Sequence, residues 1–237
     1  MVHLYHLLWI PAGLAVGFLT PLLFAELLDL PQYLYYLIYF IIVGIFSVAY
    51  VKNTRLNLQA FLTTHLGWAI ATGVLVGMVM MQAVLMRPQT AKLEGMLLWW
   101  ELFWRGLVYG AIDGILLFAF PWLVVWRAFE AGKRNIFAKL GTSVIALLCI
   151  LFITTTYHLG YSDFRSEKII QPAIGSTITS VPTLLTANPL ASVISHIFLH
   201  VAAVVHSPYT ELFLPPHRAN EELMSVEKPF IPPGVEN

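Results

Sequence analysis

Charge is what this sequence has least of. Only 11% of its 237 residues are Asp, Glu, Lys or Arg, against roughly 25% in soluble domains, and that scarcity excludes a water-exposed globular chain. The charges that exist balance, 13 basic against 13 acidic, so no net field draws the chain to nucleic acid or another polyanion. Cysteine is nearly missing: Cys149 stands alone in an apolar run, which rules out an internal disulfide and leaves packing as its role. No internal repeat, no second soluble domain and no ten-residue alternation of the kind a membrane β-barrel needs is found. The first apolar run has no basic n-region and outlasts an h-region, so it reads as a span and not a cleaved leader.

What is abundant is apolar surface: 58% of residues are hydrophobic and 14% aromatic. With about 20 apolar residues per crossing, spans are expected at 7–28, 33–51, 59–85, 96 to about 128, 137–159 and 189–206. Lipid-facing backbone must satisfy its own hydrogen bonds, so the expected fold is all-α, a polytopic transmembrane bundle of about six helices over residues 1–214. The fourth run spans ~50 Å as a helix, and Gly110, Gly114 and Pro121 allow it to bend or to divide. Residues 160–188, rich in Ser, Thr and Pro, read as a structured loop or re-entrant segment. Residues 215–237 form a Pro-rich, charged tail without a core of its own. Lys52 and Arg55 follow the second span, and Arg127, Lys133, Arg134 and Lys139 follow the fourth. Both loops, and with them the N-terminus, are therefore expected on the cytoplasmic side of a cell membrane. Arg87 and Lys92 are a weaker signal the other way.

Ionisable groups inside spans are costly and normally pair or face a cavity. Glu101 and Arg105, in WWELFWRG, sit at i and i+4 on one helical face. His158 ends the fifth span, and His196 and His200 lie early in the sixth, in HIFLH, where i,i+4 spacing lets two imidazoles address one ion. The start of span four, the end of span five and the start of span six would share the non-cytoplasmic leaflet, so one site could gather all five residues. His158 or Glu101 would complete a three-ligand zinc site with an open position. Without metal, Glu101 would act as a general base while histidines polarise a carbonyl. Glu26 and Asp113 are membrane acids without an assigned partner, and either suits an outer-shell role. His3, His6, His206 and His217 are weaker candidates, and His65 reads as structural.

The run from Glu101 through Arg105, Gly106 and Gly110 resembles the first motif of the CAAX-protease and bacteriocin-processing family of intramembrane endopeptidases, in which two glutamates precede three residues and an arginine. Asn188 to His200 resembles that family's last histidine motif, and His158 its middle one. The resemblance covers about residues 96–206. It implies an all-helical intramembrane protease acting on a membrane protein or peptide, with Glu101 activating water, Arg105 orienting it, and His158 and His196 binding substrate or metal. Trp100 stands where the family has its first glutamate, and His200 where it has asparagine. Two other classes stay open: a non-catalytic membrane protein or complex subunit, and a bundle whose histidines ligate haem or a transition metal.

Overall fold

The computed structural model describes residues 3–210 and 212–215, and among these the chain is helical, with no strand. The elements are α1 Leu4–Leu27, α2 Gln32–Thr54, α3 Leu58–Thr63, α4 Leu66–Leu85, α5 Gly95–Ala128, α6 Ile136–Leu159, α7 Ile170–Thr186 and α8 Leu190–His206. Five of them (α1, α2, α4, α5 and α6) are long and apolar enough to cross a membrane, and α8 is a shorter apolar helix. Polarity is distributed in the reverse of a soluble protein. Leu8, Ile45, Trp68, Leu75 and Leu148 are exposed, while Asp113, Thr183, Ser195, His196 and His200 are buried. A lipid environment is the solvent that suits such a surface.

The fourth apolar run is one helix, and it is the axis of the bundle. In its most apolar stretch 78% of residues are buried, against 22–33% in the other four long helices. Gly110 and Gly114 do not break it. Its winding loosens instead to π-helical turns at Leu102–Tyr109 and Ile115–Ala119, on either side of the α-helical Gly110–Gly114. The second loosened turn ends two residues before Pro121, whose ring crowds the preceding turn and whose nitrogen donates no hydrogen bond. Such π segments are rare and often mark functional positions.

Two sequence expectations are revised. The third span is not continuous from 59 to 85: it breaks at His65, whose backbone is left-handed (φ 49°). Residues 160–188 are not mainly loop: α7 occupies Ile170–Thr186, with Pro182 inside it. The hydroxyls that made this stretch look polar turn back on their own helix, Ser180 Oγ donating to the Ser176 carbonyl at 2.6 Å and Thr186 Oγ1 to the Pro182 carbonyl at 2.7 Å.

The extra helix reverses α8. Its first turn lies beside the start of α4, where a Cβ on Gly73 would come within 2.7 Å of the Ala191 carbonyl oxygen, and its last residue, His206, bonds the Arg87 carbonyl at 2.9 Å through Nε2. So α8 runs parallel to α4 and antiparallel to α5. The tight α7–α8 turn is fastened to the break before α4: Asn188 Nδ2 donates to the carbonyls of Leu62 (2.9 Å) and Thr64 (2.7 Å), and His65 Nδ1 donates to that of Thr186 (3.0 Å). Each break caps the other, and His65 is structural as expected.

Glycine sets how closely α8 can approach. On α5, Gly106, Gly110 and Gly114 form a four-residue-spaced ridge whose missing side chains make room for Val201, Ile197 with His200, and Val193. On α4, Gly73 and Gly77 do the same for Ala191 and Phe198. In lipid, such small-residue ridges stand in for a hydrophobic driving force, because they let helices gain dispersion contact along their backbones. Gly73→Ala must push backbone aside and is expected to cost about 1–3 kcal/mol, lowering the thermal midpoint in detergent by several degrees. Gly141→Ala, with nothing within 4 Å, is expected to leave it unchanged or raise it. Equal effects of the two substitutions would contradict this account of the packing.

Candidate metal site

Asp113 projects from α5 one residue before Gly114, so the glycine that admits α8 also brings the carboxylate against it. His196 and His200, one turn apart on α8, complete a cluster with exposures of 3%, 7% and 4% for Asp113, His196 and His200. His196 Nε2 lies 3.0 Å from Asp113 Oδ2, His200 Nε2 lies 3.1 Å from His196 Nε2, and His200 Nε2 lies 4.0 Å from Asp113 Oδ2. The three atoms lie within 4.0 Å of one another, close enough for one cation to touch all three at the about 2.0–2.2 Å of Zn–N and Zn–O bonds. Hydrogen bonding among the three is poorer than this. A neutral imidazole nitrogen either donates or accepts, so one proton on His196 Nε2 serves Asp113 or His200 and not both. A cation would serve all three.

Around the cluster the hydrogen bonding is that of a supported carboxylate. Tyr39 donates to Asp113 Oδ1 at 2.6 Å, leaving Oδ2 to face the histidines. Nδ1 of His196 and of His200 has no hydrogen-bond partner among the described residues. Metal-bound imidazoles usually donate that N–H to an outer acceptor, so here the outer support comes through Tyr39 and Asp113. Further buried phenols form a chain beside it: Tyr35 to Tyr161 at 2.5 Å, Tyr161 to Tyr157 at 3.0 Å, and Tyr157 to Tyr109.

A cavity of about 80 Å³ adjoins the cluster, and Asp113, His196 and His200 share its lining with Tyr109, Tyr157, His158 and Tyr161. A water needs about 10–15 Å³ of such space, so several fit. His158 Nδ1 lies 2.8 Å from the Thr154 carbonyl oxygen, an acceptor only. That fixes the proton on Nδ1 and leaves Nε2 as an acceptor.

Of the residues picked from sequence, His196 and His200 meet in the cluster, and His158 lines the same cavity without joining it. Glu101 and Arg105 do pair with each other, Arg105 Nη1 donating to Glu101 Oε2 at 3.3 Å. Tyr33 donates to the other carboxylate oxygen, and Arg105 Nη2 donates to the Pro208 carbonyl at 2.6 Å. Both side chains are buried, yet neither is among the residues lining the cavity. The third member of the cluster is Asp113, which sequence reasoning had left unpartnered. Its signal was there, a second acid deep in the longest apolar run, without the basic residue at i+4 that Glu101 has. Cys149 packs half-buried against the core, as expected. His217 lies outside the described residues.

Two imidazoles on one helix with Nε2 atoms 3.1 Å apart cannot sit on opposite faces of a haem, so the HIFLH pair is not a bis-histidine haem site. Comparisons with protein-family models, curated proteins and solved structures returned no match. What the chain presents is an apolar, membrane-type helical bundle enclosing an Asp/His/His group able to hold a metal ion. Tyr39→Phe is expected to weaken divalent-metal affinity about 10–100-fold, as loss of outer-shell partners does, in a competition titration with a chelator. Unchanged affinity would show that the phenol does not support the carboxylate.

Proposed function

We propose that the protein is a membrane-embedded, metal-dependent hydrolase, with its cation on Asp113, His196 and His200, acting on a peptide bond of a membrane-borne substrate. The observation that carries this reading is the convergence of three buried ligand atoms on one point beside a cavity. Two histidines, one carboxylate and an open position make up a donor set of catalytic zinc sites. Zinc held there would supply Lewis acidity and a water of lowered pKa.

The chain's own residues take the remaining roles. His158 Nε2, an acceptor by its tautomer, takes the proton from the attacking water. Tyr109, which lines the cavity at the end of the phenol chain, donates its one proton to the substrate carbonyl oxygen as charge develops on it. The peptide substrate is supported by the resemblance of Glu101–Gly110 to the intramembrane endopeptidases. The role of Glu101 differs from the one the resemblance implies. With both carboxylate oxygens engaged by Tyr33 and Arg105, Glu101 positions Arg105 in place of activating water. The six basic residues Lys52, Arg55, Arg127, Lys133, Arg134 and Lys139 gather at one end of the bundle, which we place in the cytoplasm with the N-terminus. The cavity then lies toward the opposite leaflet, near the α6–α7 connection.

Peptide N-termini profiled in membranes of expressing cells test this reading. New cleavage products are expected with the wild-type chain. Asp113→Asn is expected to abolish them, and His158→Gln to reduce them about 10²–10⁴-fold, the usual contribution of a general base. Glu101→Gln is expected to keep a substantial fraction. Full activity in Asp113→Asn with none in Glu101→Gln would replace the metal mechanism with a glutamate base.

A further inference from the structure

The described residues after α8, 207–210 and 212–215, do not leave the bundle; they fold back over the cavity. Arg105, buried in α5, donates to the Pro208 carbonyl at 2.6 Å, and the Tyr209 backbone N–H reaches Thr90 Oγ1 at 3.4 Å. Beyond these anchors, Leu212, Phe213, Leu214 and Pro215 form part of the cavity wall. Leu214 is 3% exposed and packs with Val84, Ala202, Ala203 and Val204, where the ends of α4 and α8 meet.

This wall differs from the others. The remaining lining residues stand on helices or on the short α6–α7 connection, whereas the described residues 207–210 and 212–215 are turns with no helix or strand of their own. A cavity of about 80 Å³ is well below the ~300–1,000 Å³ typical of pockets that accept an organic ligand, so a peptide needs a wall of the site to give way.

We propose that the described residues 207–210 and 212–215 act as a strap over the site, with the Arg105–Pro208 bond as its hinge-side anchor and Leu214 as its latch, and that a substrate peptide enters by displacing the latch. The strap gives the Glu101–Arg105 pair a purpose in the membrane: Glu101 holds the guanidinium on the carbonyl that fixes where the strap begins. The substrate part of this inference rests on the hydrolase reading, but the strap itself is tested without metal or activity. Ser176 lines the cavity and is 5% exposed, so a thiol there reports opening. In the full chain with Cys149→Ser and Ser176→Cys, labelling by a small water-soluble maleimide in detergent is expected to be slow, and Leu214→Ser is expected to speed it at least tenfold. Phe213→Ser, at a half-buried position that folding tolerates more easily, is expected to speed it several-fold. Labelling within twofold of the parent in both variants, with helix content and thermal midpoint retained, would overturn the strap. A chain that binds no metal but shows the accelerated labelling would overturn the hydrolase reading and leave the strap standing.

Discussion

The close approach of α8 to α4 and α5 is the constraint on which the rest depends. A Cβ on Gly110 or Gly114 would lie 3.2 Å from atoms of α8, so α8 would have to give way and carry His196 and His200 away from Asp113. Because lipid offers no hydrophobic reward for bringing two apolar helices together, the contact rests on backbone-to-backbone fit, and the glycine ridges of both neighbouring helices supply it. The polar cluster then forms where α8 is clamped from two sides, deep in the bundle and shielded from lipid by the outer helices.

Position in the membrane decides what those polar groups are worth. A carboxylate and two imidazoles buried in an apolar bundle cost free energy unless each is satisfied. Tyr39 and His196 meet two of Asp113's needs, but the proton on His196 Nε2 cannot serve Asp113 and His200 at once, a competition that a cation at this group would relieve. The same accounting explains Arg105, a fixed charge whose guanidinium is shared between Glu101 and a backbone carbonyl. The tyrosine chain from Tyr35 to Tyr109 follows the rule as well, each phenol satisfied by the next.

Much of this was legible in the residues. The long spans stand out because hydropathy is a local sum, and the i,i+4 spacing of HIFLH and of Glu101 with Arg105 placed each pair on one helical face. α7 was not legible by that sum, because its serines and threonines lower hydropathy while bonding their own backbone or facing inward. Their spacing carried the missing information: Ser176, Thr179, Ser180 and Thr183 recur with helical period, and all four are buried. Missing α7 had a consequence for the site. Counting one helix too few left α8 running the wrong way, so its histidines were matched with Glu101 near a leaflet when their true partner, Asp113, lies deeper along α5. Sequence spacing identifies which residues share a face; which faces meet depends on the parity of the crossings.

The central claim is that Asp113, His196 and His200 together bind one divalent cation. Metal content per chain, measured by elemental analysis of detergent-purified protein beside Asp113→Asn and the His196→Ala, His200→Ala double variant, tests it most directly. About one zinc per wild-type chain, lost in both variants while they remain folded, is the result the account predicts. A wild-type chain that takes up no metal even after incubation with zinc would contradict it, and would leave the cluster as a hydrogen-bonded brace between α5 and α8.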